Sequence, residues 1–399
     1  MTAAQSGTGK IIKSGLGTLI LAVDSPDFSG GLEIQEGFVN VMTASAFGTG
    51  TVTILGQREG FTGDCCLRFS GSGVNYAATP IVVSGTSTYA KPVIELSSAT
   101  NTFAGTITAA KALYINDDAQ WLYNWFKAQL GSAKWSTNVS PTKWMDFKGA
   151  VTAGEKIYLV PDAQITFSGP VSTPVFVTAR EDGPKPRGNT SADTAIYGEL
   201  TFTGSNLIGE FRSAYRKTYF GGSNSMGGAL MHGVLDAGGA DDRLSWYASA
   251  YDQTVAGFVD DKVFTLGGRV GAAKSYVKTI TMTGTTENAE LLACREFVGG
   301  FTFKLDAANN PGFVQALTNR TNGSFTGALN IQNGTLKLCA GETFSAVSKI
   351  EVGANGRLIV NSVGGFPNGI GELRLTTGGR LEMALPSCAT GSASVRVSA

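Results

Sequence analysis

Residues 28–41, FSGGLEIQEGFVNV, and residues 325–338, FTGALNIQNGTLKL, carry one pattern at opposite ends of the chain. In each stretch apolar residues occupy every second position, which is typical of a strand with one buried face, and glycines then turn the chain into a second short strand. Strands this short bury an apolar face only by stacking on equivalent strands, so the pattern predicts an all-β solenoid. The aligned residues are Phe28, Gly30, Leu32, Ile34 and Gly37 in the first stretch and Phe325, Gly327, Leu329, Ile331 and Gly334 in the second.

The chain after residue 338 repeats short alternating strands at a fixed interval. Ile350 lies 23 residues before Leu373, and Leu358 lies 23 residues before Leu381. Glycines between these strands allow tight corners, because glycine adopts positive φ at little steric cost. We therefore expect one solenoid coil per interval.

Residues 7–41, GTGKIIKSGLGTLILAVDSPDFSGGLEIQEGFVNV, resemble the autotransporter-associated β-strand repeat, and residues 325–383 resemble a second occurrence of it. The resemblance implies a right-handed parallel β-helix that is exposed on, or shed from, the outer surface of a Gram-negative-type cell. The matching positions are Gly15, Gly17, Thr18 and Leu19 in the short GTL strand and Phe28, Gly30, Gly31 and Gly37 in the corner and closing strand.

One segment breaks the β pattern. Asp117 and Gln120 have the spacing of a helix capping box, and Gly131 stands where a C-terminal cap belongs. The apolar residues between them fall on one helical face, so we expect a short amphipathic helix that covers an end or a side of the solenoid rather than binding a partner. The predicted organisation is N-terminal coils in 1–116, the helix in 117–132, a β-rich central solenoid section with irregular loop insertions in 133–300, and C-terminal coils in 301–399.

The composition excludes several classes of function. Only 16% of the residues are charged, and 31 basic residues balance 31 acidic ones, so no net field attracts nucleic acid. The longest strongly apolar run, Leu19 to Val23, is far shorter than a membrane span, so this segment is not expected to insert into a membrane. No signal-peptide pattern opens the sequence, and we expect any export signal to lie outside it, in a longer protein.

The five cysteines lack the spacing of a zinc site, and the calcium-binding nonapeptide of some solenoids is absent, so no metal and no cofactor is predicted. Cys339 and Cys388 could form one disulfide, but buried thiols are the favoured interpretation.

Parallel β-helices also occur among polysaccharide lyases and hydrolases, so the acidic pairs and the histidine are candidate catalytic groups. The adjacent acidic pairs at 117–118, 241–242 and 260–261 suit turns or caps better than a carboxylate dyad, since neighbours on a strand point to opposite faces. The single histidine, His232, is flanked by apolar residues and has no nucleophile motif nearby, which favours a partly buried histidine with satisfied hydrogen bonds.

The residues therefore favour a secreted or cell-surface module without catalytic activity: a stalk, an adhesin or a self-assembling fibre. Its expected partners are copies of itself or an extracellular glycan or host protein. Trp246, Tyr247 and Tyr251 are candidates for stacking on a glycan. A carbohydrate-active β-helix enzyme and a phage or secreted fibre protein are the alternatives.

Overall fold

Alternating short strands and glycine corners dominate the structure, a computed structural model in which the strands of the described residues pair in parallel. The contacts between residues divide the chain into two compact units, Met1–Leu244 and Ser245–Ala399. The structure describes residues 1–56, 64–87, 93–97, 100–117, 144–159, 164–178, 196–213, 215–233, 244–248, 251–260, 264–267, 279–285, 290–293, 295–318, 325–361 and 365–383.

The first unit contains strands of two to eight residues. They are β1 (Ile11–Lys13), β2 (Thr18–Leu21), β3 (Leu32–Ile34), β4 (Gly37–Val41), β5 (Val52–Ile54), β6 (Cys65–Phe69), β7 (Asn75–Tyr76), β8 (Ile81–Val83), β9 (Ile94–Leu96), β10 (Asn101–Phe103), β11 (Ile107–Ala109), β12 (Leu113–Asp117), β13 (Trp144–Phe147), β14 (Val151–Ala153), β15 (Lys156–Leu159), β16 (Gln164–Phe167), β17 (Val171–Thr178), β18 (Ile196–Phe202), β19 (Leu207–Ser213), β20 (Tyr215–Phe220) and β21 (Leu230–Gly233).

These strands form three faces of a parallel solenoid. The first face contains β1, β3, β5, β8, β11, β14 and the first halves of β17 and β19. The second contains β2, β4, β6, β9, β12, β15, the second halves of β17 and β19, and β21. The third contains β7, β10, β13, β16, β18 and β20. From β5 to β20 each coil contributes one strand, or half of a long one, to each face, whereas the two coils before β5 have no strand on the third face.

The second unit is a parallel solenoid as well. Its strands are β22 (Leu244–Ala248), which begins at the last residue of the first unit, β23 (Gln253–Val255), β24 (Gly257–Asp260), β25 (Phe264–Gly267), β26 (Thr279–Met282), β27 (Glu290–Ala293), β28 (Arg295–Val298), β29 (Thr302–Asp306), β30 (Val314–Leu317), β31 (Ala328–Leu338), β32 (Lys349–Val360), β33 (Leu373–Leu375) and β34 (Arg380–Met383). The predicted interval of 23 residues is confirmed, because Ile350 pairs with Leu373 and Leu358 pairs with Leu381.

The two sequence repeats have matching local structures. Phe28 and Phe325 are buried and form isolated parallel bridges to Gly7 and Gly299 of the preceding coil. A Cβ atom on either Gly30 or Gly327 would collide with a carbonyl oxygen of the preceding coil. Gly37 and Gly334 both have positive φ, +77° and +97°. The leucines and isoleucines of both repeats, Leu32, Ile34, Leu329 and Ile331, are buried.

The predicted all-β parallel β-helix is confirmed, and no helix occurs among the described residues. Asp117 is the last residue of β12, where it pairs with Leu96. The rest of the predicted helix, including Gln120 and Gly131, lies outside the described residues. The helix and its caps therefore stay predictions.

Candidate functional site

The outer surface of the first face is uncharged over six consecutive coils. The outward residue at the centre of each strand pairs in register with its neighbours and forms a column in which every member is half-buried or exposed. We call this column and the two beside it the neutral face. The central column is Thr53, Val82, Thr108, Thr152, Ser172 and Leu207.

Both flanking columns of the neutral face are also uncharged and at least partly exposed. Their alignment follows from backbone hydrogen bonds between coils, such as Ile81 N to Thr106 O and Ala110 N to Val83 O, both part of the parallel ladder. The column on the N-terminal side is Thr51, Pro80, Thr106, Ala150, Pro170 and Ser205. The column on the C-terminal side is Leu55, Ser84, Ala110, Gly154, Pro174 and Gly209.

Charge appears on the first face only in the coils before β5. There Lys10 Nζ lies 3.1 Å from Glu33 Oε2, so the two charges compensate each other. Glu33 precedes Thr53 in the central column, and Ile12, 56% exposed, precedes Glu33. The neutral face therefore ends at a compensated ion pair.

The second face of the same unit has a different surface. Arg68 Nε donates a 2.7 Å hydrogen bond to Glu95 Oε2, and the guanidinium carbon lies 4.8 Å from the centre of the Phe38 ring. These contacts join three successive coils through side chains on the outside of the solenoid. A mostly buried pair of this kind fixes side-chain geometry more than it stabilises the fold.

Further along the second face, Glu210, Arg212 and His232 form a cluster. Arg212 on β19 pairs in register with His232 on β21. Glu210 Oε1 accepts a hydrogen bond from Arg212 Nε and lies 3.0 Å from His232 Nε2. The His232 side chain is 23% exposed, so the part of the prediction that the histidine is partly buried is confirmed.

The second unit carries charges in pairs on its outer surface. Lys337 Nζ lies 2.8 Å from Glu290 Oε1, and this hydrogen bond raises the pKa of the lysine. Lys304 Nζ lies 2.6 Å from Asp306 Oδ2, and the hydrogen bond from Lys304, supported by one from Asn333, lowers the pKa of that carboxyl group. Lys337 lies on β31 and Glu290 on β27, so this pair joins different coils, whereas Lys304 and Asp306 lie two residues apart on β29.

The predicted aromatic glycan site remains a prediction. Tyr251 is 47% exposed in the turn after β22. Trp246 and Tyr247 belong to β22, but their side chains lie outside those the structure describes. The acidic pairs at 117–118, 241–242 and 260–261 also lie wholly or partly outside the described side chains.

Cysteine and metal chemistry add no site in the described part of the chain. Cys339 carries a free thiol, so the alternative of a Cys339–Cys388 disulfide is wrong. Burial raises the pKa of the Cys66 thiol well above its usual value, which makes this thiol a poor nucleophile. Within the described residues no three His, Cys, Asp or Glu side chains are placed to hold a metal ion, and no helix suits a membrane span.

No protein-family model matches the chain, and neither a curated protein nor a solved structure shows significant similarity to it. The parallel β-solenoid is therefore known from the structure alone, and the resemblance to autotransporter repeats stays an expectation.

The sequence pattern predicted the inward residues of the coils but not the neutral face. A signal was present in the Thr-x-Thr segments at 51–53 and 106–108, whose outward positions are uncharged. Their significance depends on which residues of other coils stand beside them, and that information is absent from any single strand.

Proposed function

We propose that this chain is a non-catalytic structural module displayed on the outer surface of a Gram-negative-type bacterium, where it serves as a stalk, an adhesin or a subunit of a surface fibre. The observation that carries the proposal is the continuous stacking of coils in the first unit, where the strands of the first face pair in register from β1 to β19. Such a stack extends by adding coils and gives a stiff projection.

The corners of the coils support the same role. Their phenylalanines and glycines lie inside the stack, in contact with the coils above and below. Because these residues are buried between coils, any binding partner would contact the outer faces of the solenoid. The resemblance of residues 7–41 to autotransporter repeats also favours display outside the cell.

Display is tested on the cells that naturally express the protein. An antibody raised against the purified chain should label intact cells, and protease added to intact cells should remove the signal. Labelling that requires permeabilised cells would overturn the proposed location. A cytoplasmic marker protein, which must stay unlabelled until permeabilisation, provides the control.

A carbohydrate-active enzyme is the second candidate, and the cluster of Glu210, Arg212 and His232 is the observation that favours it. Polysaccharide lyase chemistry needs a base beside a cationic group that stabilises negative charge, and this cluster holds both types of group. The structural proposal predicts no release of sugar from a panel of soluble polysaccharides. Turnover that Glu210→Gln abolishes while the protein stays folded would establish the enzyme instead.

A further inference from the structure

The neutral face differs from the other outer surfaces of this chain in its lack of charge. Charged residues make up 16% of the sequence, yet none lies among the three columns between β5 and the first half of β19. The second face of the same unit presents Arg68, Glu95, Glu210 and Arg212. Absence of charge over six coils means that this face can be dehydrated without burying an ion, which is the most costly event in forming an interface.

The shape of the neutral face suits a second β-sheet. Its side chains are small, β-branched or proline, with two leucines as the largest, so no long side chain projects from the surface. Two sheets with such faces pack at a separation of about 10 Å. Val82 is 38% exposed and Leu207 is 70% exposed, so apolar area in the central column remains to be buried.

The chemistry of the face narrows the choice of occupant. Sugars are commonly held by stacking on aromatic rings, and none of the three columns contains an aromatic residue. A matching occupant must be flat, uncharged and able to follow strands spaced about 4.8 Å apart. The neutral face of a second copy of this chain meets those requirements. A two-fold axis would place the two identical uncharged surfaces opposite each other.

We propose that the neutral face of the first unit is a self-association surface, on which a second copy of this chain packs face to face about a two-fold axis. This inference concerns the isolated chain and does not depend on surface display. Six strands about 4.8 Å apart and five residues about 3.3 Å apart give about 475 Å² of projected area per copy. Stable dimers bury about 800 Å² per partner, so the association is weak and rises with protein concentration.

Sedimentation velocity of the full chain, measured from about 1 µM to about 1 mM, tests the proposal. The average mass of the natural chain should rise with concentration toward that of a dimer. The double variant Thr108→Arg, Thr152→Arg should weaken association at least about tenfold, because it buries two arginines from each copy at the interface.

The matched control is Thr166→Arg, Thr201→Arg. It introduces the same residues at half-buried threonines that pair in register on the third face. This control should associate like the natural chain. A monomer at every concentration, or equal loss of association in both double variants, would overturn the proposal.

Hydroxyl-radical footprinting of the natural chain makes the test independent of any variant. Oxidation of Val82 and Leu207 should fall as concentration rises, whereas oxidation of Ile20 and Leu292, both exposed outside the neutral face, should stay constant. Unchanged oxidation of Val82 and Leu207 in an associating sample would place the interface elsewhere. Binding of a monomeric chain to insoluble chitin or cellulose, lost in the Thr108, Thr152 variant, would identify a polysaccharide as the occupant and also contradict the proposal.

Discussion

Buried polar side chains connect coils through hydrogen bonds to backbone groups. The Asn101 amide donates to Gly71 O at 2.6 Å and accepts from Val74 N at 2.9 Å. The Gln315 amide bonds both the carbonyl and the N–H of Phe258, at 3.1 and 3.0 Å. When the oxygen and the nitrogen of a buried amide are both hydrogen-bonded, these bonds offset the free energy lost on dehydration. They also specify one register between coils.

Tyr76 offers a test of this principle at one hydroxyl group. The hydroxyl donates to Val41 O and accepts from Gly71 N, both at 2.9 Å. Burial raises the pKa of Tyr76 from 10.0 to about 12, partly offset by the hydrogen bond from Gly71. Because the folded-state pKa lies above the unfolded value, the stabilisation is complete below pH 10 and is lost as pH rises through about 12.

Tyr76→Phe should therefore lower the free energy of unfolding by about 1 kcal/mol near neutral pH. The difference from the natural chain should shrink between pH 10 and about 12. Urea denaturation at a series of pH values measures it. Tyr251→Phe, which removes an exposed hydroxyl, is the control and should show no such convergence. A constant difference across this pH range would contradict the expectation.

Among the structural elements, a Phe-x-Gly corner closes the third-face strand in successive coils of the first unit. The Phe167 ring stacks on that of Phe147 at 5.2 Å and on that of Phe202 at 5.3 Å between centroids. Stacked aromatic pairs contribute about 0.5–1.5 kcal/mol beyond the burial of their area. The corners are Phe103 to Gly105, Phe147 to Gly149, Phe167 to Gly169, Phe202 to Gly204 and Phe220 to Gly222.

The glycine of each corner is required by close approach of the backbones. A Cβ atom on Gly149 would collide with the carbonyl group of Gly105 in the preceding coil. Gly149→Ala should therefore lower the free energy of unfolding by about 1–3 kcal/mol, which is typical of overpacking. The midpoint of urea denaturation measures the loss.

Gly17→Ala is the matched control for Gly149→Ala. No atom lies within 4 Å of the position that a Cβ atom on Gly17 would take. The substitution should leave the midpoint unchanged or raise it slightly, since alanine restricts the unfolded chain. Equal effects of the two substitutions would show that glycine is not selected at these corners by steric contact.

At the scale of the whole molecule, a solenoid coil contacts only its neighbours. The destabilisation caused by a substitution should therefore stay within the nearby coils. Phe28→Ala removes a buried ring, a change that costs about 3–5 kcal/mol. Amide hydrogen exchange followed by mass spectrometry should accelerate in residues 7–56 and stay unchanged in residues 325–360. Phe325→Ala should give the reverse pattern, and faster exchange in both regions from either substitution would contradict local stacking.

The sequence predicted the coils because their determinants are local. Alternation of apolar residues specifies which side of a strand is buried, and Gly30 and Gly37 mark corners that the structure confirms. The Phe-x-Gly corners were recognised only in part, because insertions of different length separate Phe103, Phe147, Phe167, Phe202 and Phe220. Uneven spacing hides a repeat from any search for a constant period.

By itself the sequence determined a solenoid of short strands, its inward residues and the equivalence of residues 28–41 and 325–338, since each depends on neighbours within one coil. The tertiary structure alone decided the neutral face and the cluster of Glu210, Arg212 and His232. Both arise from the register between coils of unequal length, which brings together residues that are distant in sequence. Register is fixed by hydrogen bonds and packing along the whole stack, and no single segment encodes it.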